Sequence, residues 1–519
     1  MKRNKYKSPE EMTKEAQLEL YYEKLDSVKL EETWNILLKS VMKRKGKFPP
    51  FFCDENNFGE LYELGLEHVN KLEKKELGKY YTPYDVSTVL AQWLVPLKGE
   101  NIADVCCGTG NLIINYMRVI GKEKAIELLE NRKIYLYDID KIAIKICKYR
   151  IALIYGEQYL KSVHTRVGDF LDIKTVLPPN CKVISNPPYF KIKEIQTNWE
   201  ITKVINNTKE LYCAFIEKIC KQAESAVIIS PYSFISGNKF YSLRQELNKH
   251  SGYIISFDNV PGNIFNGRKK GIFNTNSTNA VRAAITVIDN IGNMQGFKIS
   301  PIIRFKNRER EDVLDNNNLL RLLGEKRQII SSKNTSYIKC FKDLEPINDS
   351  WNNISKNKLE NYLSKDPSKY CLNVPNTCRY FTVASSMTLD RSGKHVLYFN
   401  NEKDYTLAYA FINSSFAYWY WRMYDGGINY SKSLLYSLPV YFDKISQVEY
   451  DEIQKIAKKM ISHEEKYLCS KMNAKKYQFN IKFPIKYRKE LDSIFLSVLG
   501  FDNEDCFNKI HANNFAEEI

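Results

Sequence analysis

Between Gly78 and about Asn290 the chain alternates short apolar runs with stretches whose apolar residues recur at helical spacing. Ile102–Val105, Ile134–Tyr137, Val163–Val167, Val183–Ser185, Ala226–Ser230, Ile254–Phe257 and Ala283–Ile288 predict strands. Val86–Leu94, Leu112–Val119 and a segment starting near Lys141 predict helices between them. Strands separated by helices build a doubly wound α/β sheet, which binds ligands at the carboxyl ends of its strands. The flanks are patterned differently. Residues 1–75 are rich in Glu, Lys and Leu, with helical spacing over Glu15–Leu30 and Leu61–Leu77 around a Pro49-Pro50-Phe51-Phe52 break. This predicts a short helical extension, either a packing appendage or a contacting arm. After about residue 300 the pattern is less regular, with loops rich in Asn and Ser and basic stretches at Arg304–Arg310 and Lys326-Arg327. There, Tyr405–Met423 predicts a helix ending near Gly426-Gly427, and Glu449–Tyr467 a charged amphipathic helix. The expected organisation is a helical extension (1–75), a sheet domain (76–295) and an α+β domain (296–519).

Composition narrows the possibilities. The 519 residues are 44% hydrophobic and 27% charged, as in a globular protein of more than one domain. No apolar run approaches the roughly 18 residues of a membrane span, and the polar stretch after Met1 lacks the apolar core of a secretory signal. A cytoplasmic protein without membrane contact is expected. The twelve cysteines include no Cys-x-x-Cys, and the six histidines never pair at ligand spacing; His463-Glu464-Glu465 runs on into Lys466-Tyr467. No metal site or disulfide framework is expected. A formal net charge of +16 suits a polyanionic partner, whose counterions Lys and Arg displace.

Candidate chemistry falls at the predicted strand ends. Asp104-Val105-Cys106-Cys107-Gly108-Thr109-Gly110-Asn111 follows the first strand, and its glycines permit a tight turn close to a ligand. The spacing is not that of a dinucleotide cradle; a strand-end carboxylate before such a loop suits a ligand with an amino group and an amino-acid tail. Asp138, ending the second strand, is placed to accept from ribose hydroxyls, whereas Asp140 suits capping of the next helix. At Gly168-Asp169-Phe170 a carboxylate can accept an adenine amino group while the ring covers its face. Upstream, Gly78-Lys79-Tyr80-Tyr81-Thr82-Pro83 can present Thr82 to a ligand carboxylate, or Tyr84 and Asp85 can simply begin a helix.

Asn186-Pro187-Pro188-Tyr189 follows Val183-Ile184-Ser185 at the fourth strand end. Two prolines stiffen the backbone. The Asn186 side-chain oxygen and the Pro187 carbonyl can accept both N–H groups of a planar amine, drawing its nitrogen toward sp3 geometry without metal or covalent intermediate. Tyr189 supplies a ring for one face of a base.

These segments, in this order, resemble the amino-group DNA methyltransferases in which cofactor motifs come first, the catalytic motif next and a target recognition domain last. The resemblance covers roughly Gly78–Ile288; Val105 departs from it, the family often having proline there. It implies a Rossmann-like sheet and S-adenosyl-L-methionine as cofactor, held by Tyr81, Thr82, Asp104, Cys106, Gly108, Gly110, Asp138, Ile139, Asp169, Phe170 and Asn186. Catalysis would rest on Asn186, Pro187, Pro188 and Tyr189, with Phe265 of Asn263-Ile264-Phe265 stacking on the second face of a flipped base. The polar stretch Gly267–Asn279, with Arg268, Lys269 and Lys270, is either a loop near DNA or an ordinary surface loop. The motif also occurs in protein-glutamine methyltransferases, but the basic and aromatic C-terminal region suits double-stranded DNA. Asparagine at its first position resembles the adenine enzymes, and serine the cytosine-N4 enzymes; RNA adenine stays open. The aromatics Phe416–Trp421 are expected in a core, with base reading left to loop residues such as Arg379, Lys394 or Lys432. A nuclease within 1–75 is not expected, so any restriction endonuclease acting on the same sequence would be a separate protein.

Overall fold

In the computed structural model the described residues are 82–265, 281–290, 294–339, 341–424, 427–473, 476–512 and 515. Tyr81, the 1–75 extension and the Gly267–Asn279 stretch lie outside them. The chain divides into two compact units. The first runs to Phe297 and is rejoined by Arg310–Asn316 and Ile329–Thr335; the second comprises Lys298–Glu309, Asn317–Gln328 and Ser336–Ile519.

The first unit is built on strands β1 (Asn101–Val105), β2 (Ile134–Asp138), β3 (His164–Val167), β4 (Cys181–Ser185), β5 (Ser225–Pro231), β6 (Ser251–Phe257) and β7 (Ala283–Ile288). Their spatial order is β3-β2-β1-β4-β5-β7-β6. The sheet's eighth strand, β8 (Gly296–Ile303), carries the chain out of the unit. β1 pairs in parallel with β2 and β4, β2 with β3, and β4 with β5, whereas β7 runs antiparallel to β5 and β6. Every residue of β1, β4 and β7 is buried, as expected where helices cover both faces of a parallel sheet.

The helices are α1 (Tyr84–Leu94), α2 (Asn111–Val119), α3 (Lys122–Glu130), α4 (Lys141–Tyr155), α5 (Lys203–Thr208), α6 (Leu211–Gln222) and α7 (Tyr241–Leu247). Lys182, inside β4, is the apparent misfit. Its ammonium donates to the carbonyls of Leu94, Val95 and Leu97 at 3.2–3.3 Å, capping the negative end of α1. Burial lowers its pKa to about 8.

The second unit has an aromatic core. Trp351, Phe411, Phe416 and Trp419 are at most 1% exposed and meet at centroid distances of 5.1–6.3 Å. The expected helix Tyr405–Met423 is two helices, Glu402–Asn413 and Ser415–Tyr424, broken where Ser414 turns extended (ψ 175°). Asp492 imposes the break by accepting the Ser415 N–H (2.7 Å) and hydroxyl (2.6 Å) at the second helix's start. The amphipathic helix spans Gln447–Ser462 and opens with a Ser446/Glu449 capping box. Of the basic stretch Arg304–Arg310, both end residues are buried; Arg304 donates to the Tyr418 hydroxyl and the Arg379 carbonyl. Lys394 donates to the Leu389 carbonyl, while Lys432 is exposed beside the Tyr436 ring.

Candidate active site

The loop after β1 is held from two sides. The Cys106 and Cys107 amides donate to the Tyr137 carbonyl, and the Gly108 amide to Asp138 Oδ2 at 2.8 Å. Asp138 Oδ1 accepts from the Asp140 amide, and Asp140 caps α4 through the Ala143 amide. From α4, Arg150 donates to the Thr109 carbonyl (2.7 Å) and to Asn111 Oδ1 (2.8 Å). Cys106 has φ 110°, a strained value for a residue with a side chain, at the point where the chain leaves the sheet. Gly110 has φ 94°, and a Cβ there would lie 2.3 Å from Cys147 Sγ, so only glycine fits.

Asp104 is fully buried, and both carboxylate oxygens lack a hydrogen-bond partner of ordinary geometry. Burial raises its pKa well above the usual carboxylate range; the nearby Asp138 adds to the rise, and the Ile113 amide opposes it. An orphaned acid at a strand end, beside a glycine loop and a helix N-terminus, fits a ligand that brings an ammonium and a carboxylate. Ile139 is 59% exposed beside Asp138, offering apolar surface.

Asp169 accepts from the Leu171 amide (2.8 Å) and from Trp199 Nε1 (2.5 Å). Lys218 fixes this turn by donating to the Phe170 and Asp172 carbonyls, both at 2.7 Å. Phe170 corrects an expectation. Its ring does not lie open to cover a base; it is 3% exposed, packed between Tyr137 (5.8 Å) and Phe215 (5.3 Å). Burying an aromatic ring is worth about 2–3 kcal/mol, and core packing takes it here.

At the end of β4, Ser185 Oγ donates to the Val105 carbonyl, tying this strand end to that of β1. Asn186 Nδ2 donates to Thr82 Oγ1 at 2.9 Å, and the Thr82 carbonyl accepts from Asn111 Nδ2 at 3.1 Å. A continuous relay therefore runs from Arg150 through Asn111 and Thr82 to Asn186. Thr82 and Pro187 are buried, and Pro188 is partly exposed. The Tyr189 hydroxyl donates to the Ile229 carbonyl, and its ring meets Phe265 edge to face at 6.0 Å and Tyr212 at 6.3 Å. Phe265 is 6% exposed, and its amide donates to Asn263 Oδ1.

The sheet thus gathers Thr82, Asp104, Cys106, Gly108, Gly110, Asp138, Ile139, Asp169, Asn186 and Tyr189 in the loops at its carboxyl edge. Sequence reading assigned no role to Arg150, Trp199 or Lys218. Arg150 left no distinct signal, being one of four cations in α4 with Lys141, Lys145 and Lys148; nothing near Trp199 marks it. Among the described residues no group of three His, Cys, Asp or Glu is arranged for a metal, and no helix is long and apolar enough to cross a membrane.

A doubly wound sheet with a glycine loop after β1 and an Asn-Pro-Pro-Tyr turn after β4 defines a Rossmann-like α/β protein of the methyltransferase class. Within that class, the chain belongs to the N-6 DNA Methylase family, whose sequence profile matches residues 53–365. It is 27% identical over 237 residues to the type II methyltransferase M.BanIII of Aneurinibacillus aneurinilyticus, covering 40% of this chain and 39% of that protein. With the type I restriction enzyme EcoEI methylase subunit of Escherichia coli the identity is 21% over 260 residues, covering 46% and 50%. The chain thus spans half or less of these relatives' length. Among solved structures it is similar to the DrdV–DNA complex, with TM-score 0.43, 16% identity and coverage of 63% of this chain and 38% of that one.

Proposed function

We propose that this protein methylates the N6 nitrogen of an adenine flipped out of double-stranded DNA, within a specific sequence and as part of a restriction-modification system. The observation that carries this reading is the Asn186 amide, half-buried at the β4 end and oriented by its bond to Thr82. An exocyclic amine is a poor nucleophile because its lone pair is delocalised into the base. Donation from Nδ2 to Thr82 fixes Oδ1 as the acceptor end, so Asn186 Oδ1 and the Pro187 carbonyl can take the two amino hydrogens and stabilise charge developing on nitrogen.

S-adenosyl-L-methionine, when bound, supplies a methyl group already activated by its sulfonium. Asp104, the Cys106–Gly110 loop, Asp138, Ile139 and Asp169 would hold it, with the orphaned Asp104 carboxylate pairing with its ammonium. Asp104 then exchanges an uncompensated buried position for an ion pair. Tyr189 and Phe265 receive the target base, replacing their mutual edge contact with two face contacts. Stacking contributes about 1–3 kcal/mol per base on an aromatic ring, which offsets an unstacking cost of a few kcal/mol. The basic chain supplies phosphate contacts. Membership of the N-6 DNA Methylase family and the likeness to restriction-enzyme methylases support adenine, DNA and a separate endonuclease partner, and a cytoplasmic site of action accompanies the reading.

Incubation with methyl-tritiated S-adenosylmethionine and unmethylated plasmid DNA is expected to yield N6-methyladenine on nucleoside chromatography. Asn186→Ala should keep DNA binding and lose transfer. Label found only in RNA, protein or N4-methylcytosine would overturn the reading. Sequencing modified bases in the chromosome of an expressing host then gives the recognition sequence.

A further inference from the structure

Arg310 is 3% exposed and lies far along the sequence from the strand ends, yet its guanidinium is spent on residues beside the proposed site. Nε and Nη2 donate to the two Asp85 oxygens at 2.6 and 3.0 Å, a bidentate ion pair. Nη1 donates to the Asn263 carbonyl at 3.0 Å and Nη2 also to the Ile264 carbonyl at 2.7 Å. These carbonyls immediately precede Phe265, whose amide is taken by the buried Asn263 side chain. Asp85 stands in the first turn of α1, three residues after Thr82, and Thr82 orients Asn186. One buried cation therefore joins the turn that presents Phe265 to the segment that aims the Asn186 amide.

The path of the chain points the same way. Lys298–Glu309 and Asn317–Gln328 belong to the second unit, but Arg310–Asn316 between them belongs to the first. The chain returns for seven residues, and Arg310 is the first of them. Packing alone does not require a guanidinium here, since a buried ion pair is on average no more stabilising than apolar residues of like volume. What the fork provides is geometry: planar donors fixing one carboxylate and two consecutive carbonyls at once.

We propose that Arg310, paired with Asp85, is a positioning residue for methyl transfer: it holds the Phe265 turn at the distance from Tyr189 and Asn186 at which a flipped base is captured. This rests on the reading that Phe265 stacks on the target base. Arg310 touches neither base nor cofactor in this scheme; its effect is expected to run through Phe265 and not through the Thr82 segment that Asp85 adjoins, and that dependence is testable.

The test is a double-mutant cycle in the full chain, read as the single-turnover methylation rate on plasmid DNA carrying the sequence found modified in the host. Arg310→Gln and Phe265→Leu are each expected to slow transfer about tenfold at saturating cofactor, with cofactor affinity unchanged. The double variant is expected to be about tenfold slow as well, not hundredfold. A mismatch at the target pair, which lowers the cost of flipping, should restore most of the Arg310→Gln rate. Multiplicative losses, a wild-type rate for Arg310→Gln, or a parallel fall in cofactor affinity would each overturn the proposal. If Arg310→Gln does not fold, Asp85→Asn, which keeps the shape and removes the charge, replaces it in the same cycle and is judged by the same outcomes. A wild-type rate for Phe265→Leu alone would instead remove the stacking reading on which the proposal stands.

Discussion

Replacing Thr82 by valine removes one oxygen and leaves the side chain's shape. Thr82 is 5% exposed, and its Oγ1 accepts the Asn186 Nδ2 donor at 2.9 Å. In Thr82→Val that half-buried donor loses the Thr82 acceptor, at a cost of about 1–3 kcal/mol. The amide then gains by rotating half a turn, which would aim its N–H groups at the substrate amine where an acceptor is needed. If the whole cost falls on the transition state, single-turnover transfer slows about 5- to 150-fold. Thr82→Ser keeps the hydroxyl and is expected within about threefold of the native rate. The assay is rapid-quench transfer of labelled methyl groups to plasmid DNA at saturating cofactor. A native rate in Thr82→Val, with only a weakened cofactor affinity, would refute the reasoning. It would mean that the hydroxyl serves the cofactor's carboxylate and not Asn186.

Gly110→Ala should lower the thermal midpoint by several degrees and abolish cofactor binding, because a Cβ at φ 94° meets Cys147 Sγ; Gly108→Ala, at φ 50° with no atom within 4 Å, should cost only about 1–2 kcal/mol. Asp104 carries a pKa raised by burial and by Asp138, so it keeps its proton as pH rises above the usual carboxylate range. A cofactor ammonium favours the ionised form; binding should release a proton and tighten as pH rises through that raised pKa. Calorimetry in buffers of different ionisation enthalpy measures this, and buffer-independent heats would count against it. In the second unit, burial pushes Asp492 up to about 7. A raised folded-state pKa gives stability that is full below the unfolded value of about 3.9 and lost as pH rises toward 7. The native protein's thermal midpoint, relative to Asp492→Asn, should therefore fall between about pH 4 and 7, a comparison that cancels the opposite trend from His511, whose pKa burial lowers.

The strands are legible because burial leaves short, mostly apolar runs: the pattern gives Ala283–Ile288 to the residue, and β1 and β2 differ from it by one residue at a single end. What sequence pattern hid depends on partners remote in the chain. Tyr405–Met423 has no helix breaker strong enough to mark Ser414, since the second helix is started by a carboxylate 77 residues away. Arg310 read as one cation in a basic stretch because its partner Asp85 lies 225 residues earlier. Phe170 reads as a ligand contact because motif position says where a residue falls along a strand, whereas ring direction is set by Tyr137 and Phe215.

The same distinction separates the Asn-Pro-Pro-Tyr turn from a working site. The tetrapeptide supplies an amide and a stiff backbone, but either end of an amide can face a substrate, and only one end accepts hydrogen bonds. Thr82 makes that choice here, Asn111 holds the Thr82 carbonyl, and Arg150 holds Asn111 from α4. Each link is a separate side chain on a separate segment, so none can be inferred from the motif. If the relay sets the amide, a substitution at Arg150, which touches no reacting group, should slow transfer in the same manner as Thr82→Val; the loss should be smaller, because Asn111 keeps its own bond to Thr82.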